Sequence, residues 1–374
     1  MSAIARTDTS VLGRWWWTVD RLTLVALGAL IFCGVILAMA ASPPVAARLG
    51  VDQYHFVKRQ MMILPVAVGL LIAVSLSTPR QVIRLAVIGL GVSLALTALT
   101  FLVGPEIKGA RRWIALPGFQ LQPSEFIKPF FAVVAAWLFA AQKMYRRVPG
   151  YLISGALYAG IAAMLIKQPD LGMAAVVTMV WFGQFFMAGL PLWLVGMMGC
   201  LGFAGLFGAY LFLPHVTSRI NRFLDPAAGD SYQVDRAMEA FMNGGLMGRG
   251  PGEGIVKRTI PDAHADFIFA VAAEEFGLIA CLIIVGLFAF VVMRGFSRVL
   301  QETNLFVLLA ATGLLVQFGL QAIVNMASTL HLMPTKGMTL PFISYGGSSL
   351  LALAIGMGMV LALTRKRYGL EAMP

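Results

Sequence analysis

Three carboxylates near the start of one apolar block are candidates for acid–base chemistry in this sequence. Asp266 comes first, and Glu274 and Glu275 follow about two helical turns later. A positioned carboxylate can accept a proton as a general base, and an ionisable residue within an apolar span indicates function because its burial is costly. Two other interpretations stay open. Asp266 or Asp262 could be the helix N-cap, and the two glutamates could pair structurally with a buried basic group.

A second group of polar residues occupies the segment GARRWIALPGFQLQPSEFIK, residues 109–128. Arg111 and Arg112 form a basic pair, and arginine beside tryptophan is also a common membrane-interface anchor. Gln122 stands at the predicted start of a helix. Glu125 and Lys128 are three positions apart and can therefore pair on one helix face.

Two further polar positions lie in short connections between apolar blocks. Lys336 belongs to MPTKGMTLPFISYGGSS, residues 333–349, whose prolines and glycines predict irregular backbone near the membrane surface. Such backbone is tolerated where protein buries it or where it lines a watery cavity. Lys336 is therefore either a phosphate contact or an ordinary loop lysine. Asp170 supplies one carboxylate to the short turn QPDLG.

The elements that must position these residues are apolar helices. The chain has 374 residues, of which 59% are hydrophobic and 12% charged, whereas soluble domains carry about 25% charged residues. A bilayer core of roughly 30 Å needs about 20 apolar residues per helix. The sequence therefore predicts an all-α polytopic membrane protein of about ten transmembrane helices. They are expected at 21–42, 58–77, 82–104, 124–142, 150–166, 171–188, 190–213, 265–293, 303–330 and 345–365.

The distribution of basic residues predicts the orientation of the chain. Lys and Arg concentrate in both tails and in alternate short connections, which places both termini in the cytoplasm. The predicted organisation is a cytoplasmic tail at 1–20, one membrane domain at 21–366 and a cytoplasmic tail at 367–374. Within the domain, 214–264 forms a large periplasmic loop between the seventh and eighth helices. The net charge of +11 thus reflects topology, and no nucleic-acid partner is expected.

Several common sites are not recognisable. The glycine-rich stretch GGLMGRGPGEG, residues 244–254, has no Lys-Ser/Thr pair of the kind that a P-loop requires. The four histidines are scattered and make no metal-binding pattern. The three cysteines lie in separate apolar blocks, where packing is their expected role.

These segments, in this order, resemble the SEDS family (shape, elongation, division and sporulation). The resemblance spans about residues 55–365 and includes GARRWI with QPSEFIK, QPDLG, the glycine-rich stretch, PDAHADFIFAVAAEEFG and MPTKGMTLPFISYGGSS. The PTKG form around Lys336 and the FVKRQ run from Phe56 to Gln60 resemble the division-specific branch. The chain departs from the family pattern at Ala265, where threonine is usual, at Asp262 and at Lys108.

The resemblance implies an inverting glycosyltransferase that polymerises lipid II into peptidoglycan strands at the division septum of the bacterial inner membrane. Asp266 matches the essential aspartate of the family and is the implied general base. The implied partners are lipid II, the nascent glycan strand, membrane lipid, a class B penicillin-binding protein (the transpeptidase FtsI) and other divisome proteins. No cofactor follows from the sequence itself, but a divalent cation, Mg or Mn, could neutralise the diphosphate alongside the basic residues.

A diphosphate leaving group needs nearby cations and polar groups. The expected substrate-binding residues are Arg111, Lys128, Arg219, Arg222, Lys257, Lys336 and Ser344. The expected supporting residues are Gln122, Glu125, Asp170, His264, Glu274 and Glu275.

Two alternatives to the transferase remain. A lipid II flippase would also carry charges within the membrane, but its charges should follow a path to the inner side, whereas these cluster outside. A division scaffold without catalysis would leave the charged outer segments unexplained.

Overall fold

The computed structural model describes residues 10–107, 109–116, 119–145, 147–189, 191–212, 214–224, 232–334 and 337–366. Thirteen α-helices lie within these ranges. They are α1 (Val11–Thr18), α2 (Arg21–Leu49), α3 (His55–Ser75), α4 (Pro79–Val103), α5 (Ser124–Met144), α6 (Gly150–Lys167), α7 (Leu171–Met187), α8 (Leu192–Phe212), α9 (Pro214–Leu224), α10 (Tyr232–Gly244), α11 (Ile268–Val299), α12 (Leu305–Thr329) and α13 (Gly347–Leu363).

The transmembrane architecture predicted from the sequence is confirmed. Within the described ranges, eight helices are long and apolar enough to cross a membrane, namely α2 to α6, α8, α11 and α12. Two shorter apolar helices, α7 and α13, complete the ten that the sequence predicts. The centre of the bundle is formed by α5 and α12, whose apolar segments are 78% and 72% buried. The other six long apolar helices leave more of their surface exposed, as expected of helices that face lipid, whereas the shorter α13 is also largely buried.

Helix α2 continues past the point where the sequence predicts its end. A pair of prolines, Pro43 and Pro44, favours an end at residue 42, but the helix runs to Leu49. Its last turns bury Val45 and Ala46 in a cluster with Ile260. This tertiary packing stabilises helical backbone that local sequence disfavours.

The segment expected to be one loop, 214–264, contains helices α9 and α10 and a 3-10 turn at Val256–Arg258. Helix α10 packs on α11 and buries Ala237 and Ala240. The segment between α4 and α5 forms a hairpin of strands β1 (Ile114–Leu116) and β2 (Phe119–Leu121), which pair antiparallel.

Helix α11 is interrupted at Gly277, where φ is 78° and ψ is −178°. The glycine-rich stretch fills the interruption: Arg249 and Gly250 donate backbone hydrogen bonds to the carbonyls of Glu274 and Glu275, at 2.9 and 3.0 Å. A Cβ on Gly248 would lie 2.2 Å from the Glu275 carbonyl oxygen, so only glycine allows this approach. Residues 278–299 alone are long enough for a membrane core of roughly 30 Å. Glu274 and Glu275 lie in the short part of α11 before this interruption.

Candidate functional site

Asp266 lies just before α11, at the end of the bundle that also contains Leu49 and Ser124, which we call the site end. The N-cap residue of α11 is Phe267, with no side-chain capping bond. The interpretation of Asp266 or Asp262 as the N-cap is therefore wrong. The Asp266 side chain is partly exposed, and its Oδ2 lies 3.5 Å from the position of a Cβ on Gly337. Its carboxylate thus faces the 333–349 segment.

A buried amide joins Asp266 to this second segment. Asn325 of α12 donates from Nδ2 to the carbonyl oxygen of Asp266 at 2.9 Å and to that of Met338 at 2.6 Å. Asn325 is 2% exposed. One side chain therefore sets the backbone positions of both segments and determines how the Asp266 carboxylate is presented.

Ser344 reinforces the same junction. Its hydroxyl donates to the carbonyl of Ala265 at 2.6 Å and accepts from the backbone N–H of Leu340 at 2.8 Å. The backbone N–H of Tyr345 donates to the carbonyl of His264 at 3.0 Å. The sequence predicts a substrate contact for Ser344, but the structure uses this buried hydroxyl to hold the two segments together.

Lys128 and Glu125 form the predicted pair, with Nζ and Oε2 2.9 Å apart. Lys128 is 4% exposed and also donates to Oε1 of Gln321 at 3.0 Å. Gln321 in turn donates to the carbonyl of Thr339 at 3.1 Å. Lys128 therefore reaches the 333–349 segment through Gln321, and its charge is balanced inside the protein.

The backbone of Gln122 places the hairpin against the start of α13. Its N–H donates to the hydroxyl of Ser348 at 2.9 Å, and Ser348 donates to the carbonyl of Gln120 at 3.2 Å. The Gln122 side chain donates to Ser124 at 3.3 Å. The hairpin that follows Arg111 and Arg112 is thereby fixed at the site end.

The two neighbouring arginines differ in their surroundings. Arg112 donates to the carbonyls of Gln168 at 2.9 Å and Pro169 at 2.5 Å, and lies 3.5 Å from the Asp170 carboxylate. Asp170 also caps α7 by accepting from the N–H of Met173. Arg111, in contrast, is half exposed and lies 3.6 Å from an exposed carboxylate, that of Glu106. Arg112 and Asp170 are therefore structural, while Arg111 can bind an external anion.

The predicted pairing of the glutamates with a buried basic group is confirmed for Glu275, which forms a buried ion pair with Lys257. Lys257 is 4% exposed and also donates to the carbonyl of Ala40 at 3.1 Å. Glu274 accepts from the backbone N–H groups of Ile255, Val256 and Lys257 at 2.7–2.8 Å. These carboxylates hold the 3-10 turn against α11, and the Lys257 ammonium is already paired.

Three predicted substrate contacts lie outside the described part of the structure. They are Lys336 and the side chains of Arg219 and Arg222. Lys336 directly precedes Gly337, the residue beside the Asp266 carboxylate. Lys336 therefore stays a predicted substrate contact, connected with the candidate site only by its place next to Gly337 in the sequence.

Sequence reasoning missed Asn325 and Gln321, which connect the site segments. A signal for them exists, because Gln317, Gln321 and Asn325 recur every four residues in an otherwise apolar helix and so share one face. Polar residues at such positions form hydrogen bonds between membrane helices. All three are buried in the structure.

His264 predicts a pH dependence of stability. Burial lowers its pKa from 6.5 to about 4, against the raising effect of Asp262, while Arg48 lowers it further. Between pH 6.5 and about pH 4, His264 is protonated in the unfolded chain but neutral in the folded protein. Stability is therefore expected to fall as the pH drops through this window. Thermal unfolding in detergent at pH 7 and pH 5 measures the effect.

The control variant is His264→Phe, which retains a ring to stack on Phe56, at 4.2 Å between ring centroids. It should lose less stability between these pH values than the unsubstituted protein. Equal losses in both proteins would contradict the assignment.

The described residues thus define a class of protein: a polytopic membrane protein with a partly exposed carboxylate at one end, held by buried hydrogen bonds between three segments. A family model described as Cell cycle protein, for FtsW, RodA and SpoVE, matches residues 20–369. The chain belongs to this family.

Curated and solved relatives agree with the match. The chain is 46% identical over 370 residues to the probable peptidoglycan glycosyltransferase FtsW of Caulobacter vibrioides, covering 98% of this chain and 94% of that protein. A chain from a structure described as a peptidoglycan synthase complex that coordinates polymerization and crosslinking superposes with a TM-score of 0.76 and 29% identity, covering 93% and 98%. The rod shape determining protein RodA of Thermus thermophilus superposes with a TM-score of 0.69 and 28% identity, covering 93% and 97%.

Proposed function

We propose that this protein is an inverting peptidoglycan glycosyltransferase that polymerises lipid II into glycan strands during septal cell-wall synthesis. The observation that carries the proposal is the placement of Asp266. It is a partly exposed carboxylate whose backbone is held by Asn325 and whose side chain faces Gly337. The chain's similarity to a probable peptidoglycan glycosyltransferase supports the same reaction class.

In this reaction the 4-hydroxyl of the acceptor sugar attacks the anomeric carbon of the donor. Asp266 accepts the hydroxyl proton, the new carbon–oxygen bond forms, and the bond from the anomeric carbon to the diphosphate oxygen breaks. Undecaprenyl diphosphate leaves with the electron pair of that bond. Attack opposite to the leaving group inverts the anomeric centre. One protein carboxylate suffices because a diphosphate leaves without needing a proton from a second carboxyl group.

We also propose that any divalent cation enters with the substrate diphosphate. The described residues include no group of three His, Cys, Asp or Glu side chains that could hold a metal ion. The proposed chemistry depends on Asp266 and on basic side chains.

Arg111→Ala and Lys336→Ala are each expected to reduce lipid II polymerisation at least tenfold while the protein still inserts in the membrane. Arg111 is half exposed, its only ion pair among the described residues is with the exposed Glu106 at 3.6 Å, and charge-assisted bonds to a diphosphate are strong. A glycan-strand assay with purified protein and labelled lipid II measures the rates. Lys58→Ala is the control, because Lys58 is an exposed lysine paired with Asp52. Unchanged rates in both variants would make these residues surface anchors.

The same assay tests the proposed function. Strand synthesis from lipid II supports the transferase. Movement of lipid II across vesicle membranes without strand synthesis would support the flippase, and the absence of both activities would support a scaffold.

We infer that the protein acts with a class B penicillin-binding protein of the FtsI type and other divisome proteins at the septum, with the site end in the periplasm and both termini in the cytoplasm. The similarity to a chain of a peptidoglycan synthase complex supports such a partner. Co-purification in mild detergent from cells with intact division machinery is expected to recover the transpeptidase. Recovery of lipid II polymerase activity without any such transpeptidase would contradict the inference.

A further inference from the structure

A large cavity lies between the C-terminal part of α2 and the glycine-rich stretch. Its volume is about 970 Å³, at the upper end of the range of ligand pockets, roughly 300–1,000 Å³. One wall is the apolar surface of α2, including Ile36, Met39, Pro43 and Ala47. A cavity with such a wall in a membrane-spanning helix suits a lipid chain.

The lining residues also carry an excess of positive charge. Arg48 lies in the last turn of α2, Lys257 and Arg258 belong to the 3-10 turn, and Glu275 is the single acidic residue among the lining residues. Glu275 is already paired with Lys257. Arg48 uses one N–H group to donate to the carbonyl of Ile260 at 2.6 Å. Arg258 is exposed, and its side chain has no hydrogen-bond or ion-pair partner among the residues that the structure describes. The unbalanced arginines therefore favour an anion.

The cavity is separate from the Asp266 site, because neither Asp266 nor Asn325 nor Gly337 lines it. The two are connected through Arg48, which holds Ile260, six residues before Asp266 in the chain. If Asp266 serves as the base of a polymerase, each cycle involves two lipid-linked molecules. The protein then needs two places for a lipid diphosphate at the same end of the bundle.

We propose that this cavity binds the diphosphate and first isoprenoid units of a polyprenyl diphosphate, as a second lipid site of the polymerase. The inference rests on the proposed function. Arg48 and Arg258 bind the phosphates, since guanidinium groups match phosphate oxygens with paired hydrogen bonds. The α2 wall covers the isoprenoid chain, which removes apolar surface from contact with headgroups and water.

Site-specific photocrosslinking in nanodiscs tests the proposal. A benzophenone amino acid in place of Met39, which lines the cavity, is expected to capture radiolabelled undecaprenyl diphosphate. The same amino acid in place of Leu49 is the matched control, because Leu49 is exposed on α2 but does not line the cavity. Excess unlabelled undecaprenyl diphosphate should abolish the capture. Inorganic pyrophosphate and phosphatidylglycerol at the same concentration should not, since each supplies only part of the recognised structure.

Two substitutions should lower capture at position 39 at least about fivefold: Arg258→Gln, which removes a charge, and Ala47→Trp, which places a bulky ring in the cavity. Lys58→Gln and Leu49→Trp are the controls and should leave it unchanged. Capture that persists in both cavity variants, or that phosphatidylglycerol displaces equally, would overturn the proposal.

The crosslinking does not depend on turnover, so its failure differs from failure of the proposed function. Capture should persist in Asp266→Asn. If position 39 captures the lipid in a protein that never polymerises lipid II, the proposed glycosyltransferase activity is wrong, but the cavity is still supported as a polyprenyl diphosphate site. Polymerisation without capture would overturn the cavity assignment alone.

Discussion

Asp266→Asn is expected to reduce glycan-strand synthesis at least about 100-fold, the lower end of the contribution of a general base. Asparagine keeps the size of the side chain, but its amide cannot accept the proton of the acceptor hydroxyl. The hydrogen bond from Asn325 goes to the backbone carbonyl of Asp266 and survives the substitution. Folding and membrane insertion should therefore be unchanged. The measurement is polymerisation of labelled lipid II by equal amounts of purified, monodisperse protein.

Asp262→Asn is the matched control. Asp262 is four residues earlier on the same segment and has φ of 51°, a left-handed conformation that asparagine tolerates well. We expect this variant to retain more activity than Asp266→Asn. Glu274→Gln is unsuitable as a control. The Glu274 carboxylate accepts hydrogen bonds from backbone N–H groups, and the N–H₂ group of a glutamine would face those donors without being able to accept. Glycan-strand synthesis by Asp266→Asn at a near-normal rate would show that Asp266 is not the general base.

Lys257→Met is expected to destabilise the protein by about 3–5 kcal/mol, the usual effect of removing one partner of a buried ion pair. Glu275 is 1% exposed and would keep a charge without its cation. Because this pair holds the 3-10 turn next to the interruption of α11, loss of the pair should also loosen the glycine-rich stretch. Thermal unfolding in mild detergent measures the loss.

The double variant Lys257→Met with Glu275→Gln removes the stranded charge and should recover most of the lost stability. Lys58→Met is the control, since its pair with Asp52 is exposed and should contribute no more than about 1 kcal/mol. If Lys257→Met unfolds like the unsubstituted protein but polymerises lipid II poorly, Lys257 contacts substrate as the sequence predicts. The structural assignment would then be wrong.

Much of the fold could be predicted because membrane helices are encoded locally. Each apolar block supplies its own backbone hydrogen bonds, so its length alone predicts a span. The same locality explains why the pairing of Glu125 with Lys128, three positions apart, could be expected. The end of α2 was predicted incorrectly because Pro43 and Pro44 oppose helix locally, and the compensating burial of Val45 involves residues distant in sequence.

The sequence by itself determined the ten apolar helices and the segments that carry polar residues, and its resemblance to a known family implied Asp266 as the base. Only the tertiary structure decided how those segments meet. Asn325 donates a hydrogen bond to Asp266, 59 positions away in the sequence. Lys257 forms an ion pair with Glu275, 18 positions away, which neutralises the charge of the lysine. Spacing along one helix determines which side chains share a face, but it carries no information about contacts between segments. Those contacts depend on how separately formed helices pack, and packing decides which charges are neutralised inside the protein and which remain available to a substrate.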